Sequence, residues 1–485
     1  EVVTTVLVDN KASDQVVNEI GYRTIRQDPN EGFFLNGNHI KLQGVSMHHD
    51  QGSLGSAAHY RAIERQVEIL QEMGVNAIRV THNPAADELI EIANRKGMMI
   101  IDELFDTWVS PKNGNYNDFA KWFNVTIDSS NEILGKKGSQ ETWAEFVTNQ
   151  TISRGQNAPS IIMWSTGNEV MEGNSGPYSS YPQILEKIAT WIQEIDTERF
   201  VTIGDNKFKA DWNESKKFGN VLTSLNGTVG MNYSDGRVYD KYHNAYPNWA
   251  IYGSETSSAI NSRGIYTTEN ENSERLYTSY DTKAVPWGHK SAEAWLAVAK
   301  RDFIAGEFIW TGFDYLGEPT NYNKINPGAA TIWPSPKSAY FGIVDTAGFP
   351  KDRYYFYKSQ WDKDTTTLHI LPAWHNDVVN KSGISKNVRV NVFSNARSVE
   401  LFFTPKGSNQ ETSLGKKTFD VVQMGNNYSY QIYTAADKSR TEYENLYLRW
   451  DVPYEDGTLR AVAYDSDDKV INETYGRSEV STFDK

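Results

Sequence analysis

From residue 33 to about residue 361 the chain repeats one pattern, a short apolar run followed by a stretch of helical periodicity. The apolar runs lie at 40–48, 76–82, 98–104, 161–169, 200–205, 228–233, 250–255 and 307–310. Helical stretches are expected at 60–73, 86–95, 140–154, 182–195, 292–303 and 354–361; in the first of these Ile63, Val67 and Leu70 share a face and Gly74 stops the turn. Most of the runs are apolar throughout and do not alternate, as strands buried on both faces of a parallel sheet do not. Eight strand-plus-helix units in about 330 residues predict an α/β fold, a (β/α)8 TIM barrel with enlarged loops.

The flanks obey other rules. The opening Glu1–Val8 run alternates and is β-prone, has no initiator Met, and with Tyr22–Ile25 reads as the last strands of an N-terminal immunoglobulin-like β-domain over 1–28. The chain is therefore expected to be the C-terminal portion of a longer protein. After the barrel, assigned to 29–362, helical periodicity disappears. The runs 388–393, 399–403 and 459–464, with a Glu455-Asp-Gly457 turn before the last, predict an all-β sandwich-like C-terminal domain over 363–485.

Charge and composition narrow the partners. The formal net charge is -14 and no basic stripe is visible, which argues against nucleic acid. No apolar run approaches the 18 or so residues of a membrane span. Cysteine is absent, which removes disulfides, thiolate metal sites and cysteine nucleophiles together. The net charge and the absent cysteine lean towards an extracellular or bacterial cell-surface location, with a cytoplasmic one as the alternative. Aromatic residues make up 13% of the chain, which permits stacking on sugars but is equally met by ordinary core packing.

In a barrel of this kind chemistry sits at the C-terminal ends of the strands. Those ends carry His48-His49-Asp50, Arg79 with His82-Asn83, Asp102-Glu103 with Asp106, Asn168-Glu169, Asp205-Asn206, Asn232-Tyr233, Glu255 and Trp310. Two carboxylates, Glu169 and Glu255, follow apolar strands whose burial makes a charge expensive. Opposite barrel walls can hold such a pair about 5–5.5 Å apart, the separation of retaining glycosidases, in which one carboxylate attacks the anomeric carbon and the other protonates the leaving oxygen.

Six ordered stretches carry a family resemblance: Leu42-Gln-Gly-Val-Ser-Met-His48, Ile78-Arg-Val-Thr-His-Asn-Pro84, Ile101-Asp-Glu-Leu-Phe-Asp106, Met163-Trp-Ser-Thr-Gly-Asn-Glu169, Tyr252-Gly-Ser-Glu255 and Phe308-Ile-Trp310. Over Leu42–Phe356 the chain closely resembles glycoside hydrolase family 2, in particular its bacterial β-galactosidases. The resemblance implies that Glu169 is the acid/base and Glu255 the nucleophile. It implies that Asn168 bonds the sugar 2-hydroxyl, that Arg79 faces Glu255, and that Tyr233 donates to the nucleophile. His48 and His82 would be sugar-hydroxyl ligands and Trp310 the stacking floor. Asp205 is a further candidate for a hydroxyl contact.

Departures qualify what is carried over. The best-known relatives bind magnesium through a Glu and a His after strand three, where this chain reads Phe105-Asp-Thr-Trp108, so no catalytic magnesium and no other cofactor is expected. A His that follows their nucleophile is replaced here by Thr256-Ser-Ser258. The resemblance also implies packing against jelly-roll and immunoglobulin-like domains that precede the barrel in the family. β-Glucuronidases carry Asn-x-Lys after strand eight, whereas this chain has Asn321-Tyr-Asn-Lys324. The expected activity is retaining hydrolysis of terminal β-galactose from an oligosaccharide or glycan, with transglycosylation as a variant. Another family 2 exo-specificity (β-glucuronidase or β-mannosidase) and a non-catalytic carbohydrate-binding protein on a hydrolase scaffold are the alternatives.

Overall fold

The structure, a computed structural model, describes residues 1–128, 134, 136, 138–266, 276–318, 337–375, 387–425, 428–435 and 438–476. Eight parallel strands close into a barrel: β1 (Leu42–His48), β2 (Ala77–Thr81), β3 (Met99–Glu103), β4 (Ile161–Asn168), β5 (Phe200–Asp205), β6 (Thr228–Asn232), β7 (Ile251–Ser257) and β8 (Ile304–Trp310), with β8 pairing back onto β1. Helices α1 (Tyr60–Glu72), α2 (Asp87–Lys96), α3 (Trp143–Gly155), α4 (Tyr181–Gln193), α5 (Asn213–Ser224), α6 (Gly236–Ala245), α7 (Ser291–Ala299) and α8 (Asp352–Trp361) form the outer ring. No described helix is long and apolar enough to cross a membrane.

The apolar strands are buried on both faces because they pack in two directions. Leu42, Ala77, Met99, Ile101, Met163, Phe200, Tyr252 and Phe308 fill the barrel interior with Phe33, which is contributed by a three-stranded sheet at residues 25–40 under the barrel. Val45, Ile78, Ile100, Ile161, Ile203, Val229, Ile251 and Ile309 face outward onto the helices. Large and small residues alternate across the interior: a Cβ at Gly44 would stand 2.4 Å from the Phe308 ring, so the aromatic fits only because the facing position is glycine.

The sequence reading placed no helix between β5 and β7, where the structure has α5 and α6. Helix α5 buries only Ser215, Phe218, Gly219 and Leu222, too sparse an apolar face to stand out. Helix α6 is announced by Asp235, whose carboxylate accepts from the Arg237 and Val238 amides as an N-cap. Helix α7 is shorter than the expected 292–303, because β8 already begins at Ile304.

After α8 the chain forms two facing sheets. One pairs Leu368–Leu371, Asn387–Ser394 and Leu448–Pro453; the other pairs Thr412–Thr418, Ser398–Pro405, Gly457–Tyr464 and Val470–Gly476. Trp374, Val390, Leu401, Leu448 and Leu459 lie in the core between them. At the other end a hairpin, Val2–Val8 with Lys11–Asn18, is exposed along its whole length, including Val3, Val6 and Leu7.

Candidate active site

The C-terminal ends of the barrel strands converge on one polar network, and its centre is Arg79 from β2. Its guanidinium has zero exposure. Nη1 donates to Glu255 Oε1 at 2.8 Å, and Nη2 donates to Glu103 Oε2 at 2.6 Å and to Asn168 Oδ1 at 3.0 Å. The guanidinium reaches this place because β5 carries Gly204 beside it: a Cβ there would lie 2.5 Å from Arg79 Nη2. Burial works against the Arg79 charge, but Glu103 and Glu255 outweigh it and raise its pKa.

Glu255 and Glu169 stand in opposite electrostatic surroundings. Glu255, at the end of β7, is 3% exposed and accepts from Arg79 through one oxygen and from the Tyr233 hydroxyl at 2.7 Å through the other. Burial raises its carboxyl above the ordinary value, and the Arg79 charge with the hydrogen bonds from Arg79 and Tyr233 opposes that rise. Burial likewise raises the Tyr233 phenol far above its ordinary value, with the Glu255 charge adding to it, so Tyr233 stays a proton donor.

Glu169 follows β4 and is half-buried. Asn232 Nδ2 donates to its Oε1 at 2.9 Å, and among the described residues no cation lies within ion-pair distance of it. Desolvation and then the Glu255 charge raise its pKa to about 7, against the weaker opposing pull of Lys112. Of the two, Glu255 is the one whose ionised form a cation and a phenol hydroxyl stabilise, and Glu169, raised to about 7, the one that holds its proton towards neutrality. Glu169 has φ 43° and Tyr233 φ 54°. Both leave their strands through the left-handed region, a conformation that costs a non-glycine residue about 1–3 kcal/mol and turns the side chain out of the strand's alternation.

The hydrogen bonds fix the histidine tautomers. Asn168 Oδ1 accepts from Arg79 and Asn232, so its Nδ2 donates to His82 Nε2 at 3.2 Å. His82 therefore carries its proton on Nδ1, which donates to Glu103 Oε1 at 2.6 Å. His48 Nδ1 donates to the Thr81 carbonyl at 2.9 Å, which leaves its Nε2 an acceptor. Burial lowers the pKa of both rings and keeps them neutral. Trp310 lies parallel to His82 with centroids 5.4 Å apart, meets His48 edge-on at 5.1 Å, and donates from Nε1 to the Tyr315 hydroxyl at 3.2 Å.

Eight of the nine candidates named from the sequence thus sit in or against one network. Asp205 does not take part. It is fully buried, with Oδ2 accepting from Ser215 of α5 at 2.5 Å and Oδ1 from the Lys207 amide at 3.2 Å. Its carboxylate ties β5 to α5 and has no free edge for a sugar hydroxyl. Asn321–Lys324 lie outside the described residues.

Two members of the network, Glu103 and Asn232, stood at strand ends in the sequence without an assigned role. Glu103 joins Arg79, His82 and the Ser165 hydroxyl; Asn232 joins Glu169, Asn168 and Ser254. A third, Lys112, could not be placed from sequence because it arrives on the loop after β3. Its ammonium donates to Asp106 Oδ1 and to the Asn168 carbonyl, each at 2.7 Å, beside Glu169. Phe105 and Trp108 flank Asp106 as buried packing residues. Among the described residues no group of three or more His, Cys, Asp or Glu side chains could hold a metal ion.

Residues 27–346 match the family described as glycosyl hydrolases family 2, TIM barrel domain, and residues 385–472 match a domain of unknown function. The chain is 33% identical to the β-galactosidase BoGH2A of Bacteroides ovatus, over 97% of this chain and 52% of that protein. It is 28% identical to a β-glucuronidase of Bacteroides fragilis, over 75% of this chain and 47% of that protein. Among solved structures, a β-glycosidase from Bacteroides vulgatus superimposes with a TM-score of 0.75 at 25% identity, covering 99% of this chain and 55% of that one. The chain spans about half the length of the curated relatives it matches.

Proposed function

The chain belongs to glycoside hydrolase family 2, and from that premise we propose that it carries the catalytic barrel of a retaining exo-β-galactosidase that releases terminal, non-reducing β-galactose from an oligosaccharide or glycan. The observation that carries this reading is the unequal pair of carboxylates. Glu255 is clamped by Arg79 and Tyr233, while Glu169 has no cation in contact among the described residues and its carboxyl is pushed up to about 7.

In the first step a Glu255 oxygen attacks the anomeric carbon as the bond to the leaving oxygen breaks, and the Glu169 proton passes to that oxygen. In the second step Glu169, now ionised, takes a proton from water, whose oxygen attacks the same carbon and releases Glu255; a sugar hydroxyl in place of water gives transglycosylation. As Glu255 loses its charge in the first step, the Arg79 bond weakens and its guanidinium remains paired with Glu103, so the network stays neutralised throughout. Asn168 has a second Nδ2 proton beyond the one given to His82, suited to the sugar 2-hydroxyl. His48 offers Nε2 as an acceptor for another hydroxyl. No step draws on a metal or cofactor.

The galactose assignment is supported by the similarity to the Bacteroides ovatus β-galactosidase across 97% of the chain. Relatives named β-glucuronidases make uronides the competing substrate. The exposed valine-rich hairpin at residues 2–18 suits packing against a further β-domain, such as the immunoglobulin-like one expected from the sequence. Initial rates on nitrophenyl β-galactoside, β-glucuronide, β-mannoside and β-glucoside test the reading. A dominant galactoside rate is expected. A dominant rate on another sugar would keep the two-carboxylate mechanism and replace the substrate, and binding without turnover on any would favour a binding scaffold.

A further inference from the structure

The polar network accounts for the floor of the cleft. On its rim stands a cation that the network does not use. Lys209 lies on the loop between β5 and α5, is exposed, and places Nζ 5.9 Å from the centroid of the Tyr233 ring, the same phenol that donates to Glu255. Among the described residues its ammonium donates to the carbonyl of Trp287 at 3.1 Å. Trp287 belongs to the loop that follows β7, and its side chain packs against the cluster that contains Tyr233, Trp310 and Tyr315.

The neighbouring cations are already committed. Lys112 is paired with Asp106, and Lys207 is paired with Glu172, which also accepts from Asn206. Lys209 has no carboxylate within ion-pair distance among the described residues. Partial burial lowers its pKa, and of the charges around it Glu169 opposes that most strongly, with Glu172 and Asp235 behind it. An unpaired ammonium beside an aromatic side chain, on the acid/base side of a cleft in a chain of net charge -14, is a local reversal of the protein's field.

Position decides which part of a substrate it meets. The groups around Glu255 are buried, where the sugar that is cleaved off would sit, whereas Lys209 is exposed beside the face of the Tyr233 ring, with Glu169 the strongest attractive charge on it. We propose that Lys209 is a specificity determinant that reads an anionic substituent, a uronate carboxylate or a sulfate ester, on the sugar attached through the scissile oxygen, with Trp287 as the aromatic surface beside it. This rests on the assignment of Glu169 and Glu255 as acid/base and nucleophile. A charge-assisted hydrogen bond from the ammonium to such a group would raise kcat/KM for the anionic substrate by roughly tenfold or more over its neutral counterpart.

The test compares matched β-galactosyl disaccharides whose second residue is glucose, glucuronate or glucose 6-sulfate, hydrolysed by the wild type and by Lys209→Gln and Lys209→Arg. The expected result is a wild-type preference for an anionic substrate that falls to near unity in Lys209→Gln and returns in Lys209→Arg, with the rate on the neutral disaccharide unchanged. A preference confined to one acid identifies the source of the anion. Equal loss on all three substrates would make Lys209 a latch between two loops and overturn the proposal, as would a wild type with no anionic preference. If the wild type turns over none of the three, the galactosidase reading fails separately. Calorimetric titration with glucuronate and glucose then decides: tighter glucuronate binding that is lost in Lys209→Gln supports the proposal, and equal binding overturns it.

Discussion

Arg79 holds Glu255 through a 2.8 Å contact with neither side chain open to solvent, while Glu169 on β4's end has no cation in contact among the described residues. Two carboxylates in one cleft repel each other's ionisation, and placing the cation on one of them decides which loses its proton first. In the proposed mechanism the division of labour between nucleophile and acid follows from where one guanidinium sits.

Replacing the two carboxylates should have different consequences. Glu255→Gln removes the nucleophile and should abolish turnover of every substrate. Glu169→Gln should lower turnover by about 10²–10⁴ on substrates with poor leaving groups and far less on a dinitrophenyl glycoside, whose leaving oxygen needs no proton. Steady-state kinetics on the two leaving-group classes would show the contrast; equal losses on both classes would remove Glu169 from the acid role.

The pH profile should report Glu169. Its carboxyl is raised to about 7, mainly by desolvation, and catalysis of the first step needs the protonated form, so kcat/KM should fall as pH rises through about 7. Lys112 opposes the raised value with its charge. Lys112→Met should therefore move the alkaline limb to higher pH, and a limb that stays in place would show that another group sets it.

Removing the central cation should cost stability as well as activity. Arg79→Met leaves Glu103 and Glu255 buried without their partner, a loss on the order of 3–5 kcal/mol. Chemical denaturation should show the lower midpoint. Arg79→Met with Glu255→Gln should recover part of it, since one of the two stranded charges is then gone.

Glu307 on β8 gives a stability signature independent of activity. It is fully buried, accepts from Thr256 Oγ1 at 2.6 Å, and burial pushes its carboxyl from 4.5 up to about 8. Between those values the native chain holds a proton that the unfolded chain has released, so stability should fall as pH rises from about 5 to 8 and level off above, by a few kcal/mol. Glu307→Gln keeps a neutral, hydrogen-bonding side chain and should remove this part of the slope, which melting temperatures of both proteins across pH 5–9 would reveal.

The barrel was legible because its signal is local. Each strand is apolar on both faces, and a residue such as Ile100 or Met163 declares that in its own neighbourhood. The same holds for Glu169 and Glu255, which end such runs. Helix α5 was not legible, because its apolar contacts number only a few and its remaining burial comes from Ser215 and Gly219, which owe it to their neighbours.

The sequence by itself determined the strand order, the strand ends, and hence the list of polar side chains that a closed barrel must gather at one mouth. It could not rank them. Asp205 ends an apolar strand as Glu255 does, yet Ser215 of α5 and the Lys207 amide occupy its carboxylate. Glu103 carries no more local signal than Asp102 beside it, yet Glu103 and not Asp102 joins Arg79 to His82. Hydrogen bonds and ion pairs act over about 3 Å between residues far apart in the chain, 176 positions in the case of Arg79 and Glu255. Only closure of the barrel brings such groups to that distance, and so only the tertiary structure decided which carboxylate is paired with the buried cation, which stands without one, and which is spent on holding the fold together.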